Sequence, residues 1–138
     1  MRKFYTIGYG NRDPEGFASL LKRHQVATIV DIRSRAWAYR GDYTRARDPA
    51  KGIEGLLTKH GIEYRYLCEL GNHFSEYRDW PTRYGKLLDK AGKLLTKELK
   101  TIEGPFCLMC TELNVERCHR KILSEYLIGN GYKFAKHL

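Results

Sequence analysis

Pro105-Phe-Cys-Leu-Met-Cys-Thr-Glu-Leu-Asn-Val-Glu-Arg-Cys-His-Arg120 joins a short apolar run to a polar turn and then to the start of a helix. The run Pro105–Cys110 predicts a compact strand. Asn114 is a residue type that caps helices, and Cys118, Ile122, Leu123, Tyr126 and Leu127 follow at helical spacing until Gly129-Asn-Gly131 stops them. A strand feeding directly into a helix is half of a βα unit.

Outward from this stretch the same pattern repeats. Lys3–Ile7 reads as a strand ended by Gly8-Tyr-Gly10, and Asp13 with Pro14 starts a helix that Phe17, Leu20 and Leu21 carry to about His24. Ala27–Asp31 is rich in β-branched residues and predicts a second strand. Ile53–His60 predicts a short helix closed by Gly61, and Ile62–Leu67 a third strand broken at Gly71-Asn72. From Pro81 to about Thr101 a long helix is expected, with Leu87, Leu88, Leu94, Leu95 and Leu99 on one side. Arg83, Lys86, Lys90, Lys93, Lys97 and Lys100 line another side, which reads as a solvated face. Tyr132–His137 closes the series as a last strand. The expectation is one compact three-layer α/β domain over residues 1–138, with a mainly parallel sheet of about five strands and Rossmann-like topology.

The chain has 138 residues, 42% of them hydrophobic, which is enough for one core without disulfide support. No stretch approaches the roughly 20 apolar residues that cross a bilayer, and Met1-Arg-Lys leads into a strand without a secretory segment. A cytoplasmic location and no membrane partner are expected. In that setting Cys68, Cys107, Cys110 and Cys118 are expected to stay reduced. The formal charge of +9 suits a polyanionic partner, nucleic acid or nucleotide.

In open α/β sheets ligands bind beyond the carboxyl ends of the strands. Four such points recur: Gly8-Tyr-Gly-Asn11, Asp31-Ile-Arg33, Cys68-Glu-Leu-Gly-Asn72, and Cys110 through Arg120. The first resembles a dinucleotide fingerprint, but its third glycine falls on Asp13, a carboxylate that would repel a pyrophosphate. A tight turn letting backbone pass close to another group explains Gly8 and Gly10 better, and no cofactor is assigned.

Around Cys110 and Cys118 four readings stand side by side. A zinc site would recruit Cys68 and His119, yet adjacent helical positions 118 and 119 point about 100° apart, so no metal is assigned. A cysteine phosphate loop fails on spacing, because Cys-x5-Arg counted from Cys110 lands on Glu116, one before Arg117. An acid–base site would use Glu112 and His119, with Arg120 on an anionic group and the cysteines lining it. The fourth reading takes Cys107, Cys110 and Cys118 as small buried apolar residues, Cys107, inside the strand, above all.

The segment Asp31–Arg47 interleaves Arg33, Arg35, Arg40, Arg45 and Arg47 with Trp37, Tyr39 and Tyr43, a composition that suits phosphate pairing and base stacking. The functional expectation is an enzyme acting on a nucleotide or nucleic acid. Its catalytic candidates are Glu112, His119, Cys110 and Cys118. Its binding candidates are Gly8, Tyr9, Asn11, Asp31, Arg33, Trp37 and Arg120. The alternatives are a non-catalytic nucleic-acid-binding or sensing module, and cysteine redox or sulfur chemistry at Cys110 and Cys118.

Thr6-Ile-Gly-Tyr-Gly10, Val30-Asp-Ile-Arg-Ser34, Gly61-Ile-Glu-Tyr64, Glu69-Leu-Gly71, Leu108-Met-Cys-Thr-Glu112 and Cys118-His-Arg120, taken in order, resemble the DUF488 family. The resemblance implies a compact α/β domain and marks the four strand-end points as a shared site. It implies no particular reaction.

Overall fold

The computed structural model describes residues 2–38 and 41–138; readings made on Met1, Tyr39 and Arg40 lie outside them. The elements are β1 (Arg2–Gly8), α1 (Pro14–Arg23), β2 (Thr28–Asp31), α2 (Gly52–Lys59), β3 (Glu63–Tyr66), α3 (Trp80–Leu95), β4 (Phe106–Cys110), α4 (His119–Ile128) and β5 (Tyr132–His137). The five strands form one sheet in the order β3-β2-β4-β1-β5, and every pairing is parallel. The α/β class and the parallel five-strand sheet agree with the sequence.

Strand alternation builds the three layers, because successive side chains point to opposite faces. Phe4, Val30, Phe106 and Leu108 pack with Tyr84 and Leu88 of α3 and Leu123 and Leu127 of α4. Their neighbours Tyr5, Ile29, Cys107 and Met109 pack with Phe17 and Leu21 of α1 and Ile53 and Leu57 of α2. Cys107 is fully buried, as its place in the strand predicted, and burial pushes its thiol pKa far up.

The end of α3 and the start of α4 differ most from the sequence reading. α3 ends at Leu95, where the Thr96 hydroxyl and N–H both donate to the Gly92 carbonyl, and a 3-10 turn over Lys97–Thr101 then carries Leu99 into the core. Leu94 is 64% exposed. It stands six positions after Leu88, about 120° round the helix, and so falls outside the apolar stripe. Asn114 does not cap α4. Its side chain accepts from Glu116 N at 3.0 Å and closes a 3-10 turn over Val115–Arg117, after which extended Cys118 becomes the true cap.

The topology fixes where a ligand can sit. β4 lies between β2 and β1, and its connection runs to α4 on one face while theirs run to α2 and α1 on the other. That divergence opens a crevice at the carboxyl end of β4, the switch point of the sheet. Register aligns Gly8 with Cys110 and Asp31 with both Met109 and Tyr66, so the strand exits meet along one edge.

Candidate functional site

Beyond Cys110 the chain doubles back over the exit of β1. Tyr9 N donates to the Cys110 carbonyl at 3.0 Å and Gly10 N to the Thr111 carbonyl at 2.8 Å. A Cβ on Gly8 would lie 1.7 Å from the Glu112 carbonyl oxygen, and one on Gly10, where φ is +45°, 2.2 Å from the Leu113 side chain. The two glycines therefore make room for this loop, and the close-passing partner expected at this turn is the Thr111–Leu113 segment.

Arg120 holds the loop from beneath. Its Nε donates to Thr6 Oγ1 at 3.2 Å, Nη2 to the Leu113 carbonyl at 3.1 Å, and Nη1 to the Glu112 carbonyl and to Cys110 Sγ at 2.9 Å. The side chain expected to hold an external anion spends its donors inside the fold. Burial pushes its pKa down to about 10, which still leaves it charged at neutral pH.

That loop returns Cys110 to the start of α4, where its sulfur pairs with that of Cys118 across a separation of eight residues. This pairing departs from the expectation that all four cysteines stay reduced, and leaves Cys68 and Cys107 as the free thiols. Cys118 Sγ also accepts from Arg120 N at 3.5 Å, so each sulfur faces a donor of Arg120 and one of them sits at a helix N-terminus.

His119 lies behind the pair. Its Nε2 is 3.0 Å from the Ile32 carbonyl, which can only accept, so Nε2 carries the hydrogen and Nδ1 presents a lone pair 3.8 Å from Cys118 Sγ. Burial pushes its pKa down to about 4. At neutral pH the imidazole is therefore uncharged, with its Nδ1 lone pair turned to the Cys118 sulfur.

Asp31 and Arg33 form a buried ion pair, with Nε to Oδ1 at 2.9 Å and Nη2 to Oδ2 at 2.7 Å, while Tyr64 Oη donates to Oδ2 at 2.6 Å. Burial alone would lower the Arg33 pKa, but Asp31 raises it above the usual guanidinium value. Arg33 reaches the crevice with its charge already matched. Tyr9 is buried, its ring stacked on Tyr43 at 4.3 Å and its hydroxyl near Arg33 and Thr111, so neither Tyr9 nor Tyr43 offers a face to a base. Asn11 is exposed on the turn after β1 and does not line the crevice. Trp37 is 58% exposed on a 3-10 turn, edge-on to Tyr66.

The crevice itself has a volume of about 330 Å³, with the two cysteines and His119 on its floor. Glu112 and Arg117 stand at its rim, and both also line an adjoining hollow beside Gly10 and Leu113. Asn72, Ser75 and Trp80 complete the wall from the segment after β3. The sequence reading passes over Arg117 because it falls one residue beyond a phosphate-loop spacing. Its signal is its place directly before the Cys118-His119-Arg120 run. Cys68 is exposed on the 3-10 turn after β3, and among the described residues no three His, Cys, Asp or Glu side chains are gathered as a metal site.

Fold and site together define a parallel α/β domain with a cysteine-floored crevice at its switch strand. The chain belongs to the family described as domain of unknown function DUF488, whose model matches residues 13–127. No curated protein and no solved structure matches it. Among the described residues no helix is long and apolar enough to cross a membrane.

Proposed function

We propose that the crevice is a thiol–disulfide exchange site with Cys110 and Cys118 as its redox pair. The observation that carries this reading is the meeting of the two sulfurs on the crevice floor, each facing a donor of Arg120. A purely structural staple is the poorer account, because the pair closes only a short loop in a domain that already has an apolar cluster on each face of its sheet.

The step balances without an outside oxidant. A substrate thiolate attacks Cys118 Sγ, the S–S bond breaks, and its electron pair leaves on Cys110, where the Arg120 guanidinium stabilises the new thiolate. A second substrate thiolate attacks the substrate sulfur of the mixed disulfide and releases Cys118 as a thiolate at the helix N-terminus. Two thiols become one disulfide and the protein becomes a dithiol. A disulfide substrate runs the sequence in reverse.

Serine is a good helix cap, so Cys118→Ser is expected to fold while losing exchange by at least about 100-fold. Cys110→Ser should lose turnover and trap the mixed disulfide at Cys118. Cys68→Ser, at an exposed thiol away from the crevice, should exchange normally. The measurements are thiol counts with and without reductant, and exchange rates with bis(2-hydroxyethyl) disulfide. Wild-type rates in both crevice variants would end the proposal.

A second reading, nucleic-acid binding, is supported by one separate surface. Trp37 stands exposed against Tyr66, Arg45 lies 4.8 Å over the Tyr66 ring, and Arg35 and Arg47 are exposed nearby in sequence. Aromatic stacking contributes about 1–3 kcal/mol per base. Trp37→Ala is therefore expected to weaken binding of a labelled single-stranded oligonucleotide by about tenfold, in anisotropy titrations whose affinity falls steeply with salt. Affinity indifferent to both salt and Trp37 would remove this reading.

A further inference from the structure

We infer that the substrate of the crevice is a small thiol or disulfide of the amino-acid class, carrying both an ammonium and a carboxylate. The inference rests on the thiol–disulfide reading and adds what selects the substrate. Charges at the crevice divide into those already satisfied and those left open. Arg33 is matched by Asp31, and His119 is neutral and bonded to Ile32. Glu116, on the turn beside the rim, is paired with Lys121 at 2.6 Å.

Glu112 and Arg117 are different. Neither the Glu112 carboxylate nor the Arg117 guanidinium has a hydrogen-bond or ion-pair partner among the described residues, and they do not pair with each other. Both are exposed, and both line the crevice and the adjoining hollow. Glu112 follows Cys110 by two residues and Arg117 directly precedes Cys118, so the redox pair is flanked by one open negative and one open positive group. An anion would be attracted by Arg117 and repelled by Glu112, and a cation the reverse. A zwitterion with its ammonium on Glu112 and its carboxylate on Arg117 satisfies both.

The test starts from the reduced protein and follows oxidation of its thiols by four small disulfides. They are cystine (zwitterionic), cystamine (cationic), dithiodiglycolate (anionic) and bis(2-hydroxyethyl) disulfide (neutral). Each rate is divided by that of the same disulfide with dithiothreitol, which removes intrinsic reactivity. Cystine is expected to lead by about tenfold on this scale. Arg117→Ala should erase its lead over cystamine, and Glu112→Gln its lead over dithiodiglycolate. Four equal corrected rates, with all four disulfides reacting, would overturn the substrate assignment and leave the exchange site standing. If no disulfide oxidises Cys110 and Cys118, the exchange site falls and the substrate assignment with it.

Discussion

Gly8→Ala is expected to destabilise the domain by about 3 kcal/mol or more, read as a lowered urea midpoint at unchanged slope. The added methyl would stand 1.7 Å from the Glu112 carbonyl oxygen, far inside contact distance. Neither backbone can give way cheaply. Gly8 is paired with Cys110 in the sheet, the neighbouring N–H groups of Tyr9 and Gly10 are bonded to Cys110 and Thr111, and Arg120 Nη1, which bonds the Glu112 carbonyl, itself lies 3.0 Å from the added carbon. Relief would require breaking the Arg120 bonds and leaving a buried guanidinium without its carbonyl partners, which itself costs several kcal/mol. Gly85→Ala is the control. It lies inside α3 with no atom within 4 Å of the added carbon, and should stabilise by about 0.5–1 kcal/mol through helix propensity. A Gly8→Ala protein as stable as wild type would mean that the β4 exit loop does not rest on this glycine.

The same contact shows what the sequence could and could not disclose. Strands and helices were legible because each is a local pattern: the apolar Phe106–Cys110, the β-branched run ending at Asp31, the Asp13-Pro14 start of α1. The exits of the strands were legible as a group, since every parallel strand ends at the same edge. What each exit residue does was not legible. That depends on β4 lying beside β1 although about a hundred residues separate them, an adjacency no local pattern carries. Without it, Gly8-Tyr-Gly10 resembles a ligand turn and Arg120 a free anion holder, whereas the structure sets both against the Thr111–Leu113 loop. Arg33 misled for a different reason. Its partner is only two residues away, but a bidentate pair with Asp31 forms because both are buried beside Tyr64 of the adjacent strand. Glu112 stands out in the sequence beside Cys110, whereas Arg117 emerges only by subtraction, as a charge left when the internal pairs are counted.

The burial of His119 has a consequence for acid stability of about 3 kcal/mol. An unfolded histidine titrates near 6.5, whereas burial pushes this one down to about 4. Between those values the unfolded chain binds a proton that the folded one refuses, so stability rises with pH through the window and is lost as pH falls from 6.5 toward 4. A gap of this size at 1.36 kcal/mol per pH unit gives the figure of about 3 kcal/mol, and with 7% exposure the side chain has little solvent to screen it. Carboxylates also protonate in this range, so the measurement is a difference. His119→Gln keeps a donor for the Ile32 carbonyl but binds no proton, and its urea unfolding free energy should fall about 3 kcal/mol less than wild type between pH 7.5 and pH 4. Parallel pH curves for the two proteins would show a His119 that titrates normally, and with it a crevice floor open enough for that residue to act as a base. A divergence opening below pH 6.5 leaves His119 as a neutral wall of the crevice, its Nδ1 3.8 Å from Cys118 Sγ.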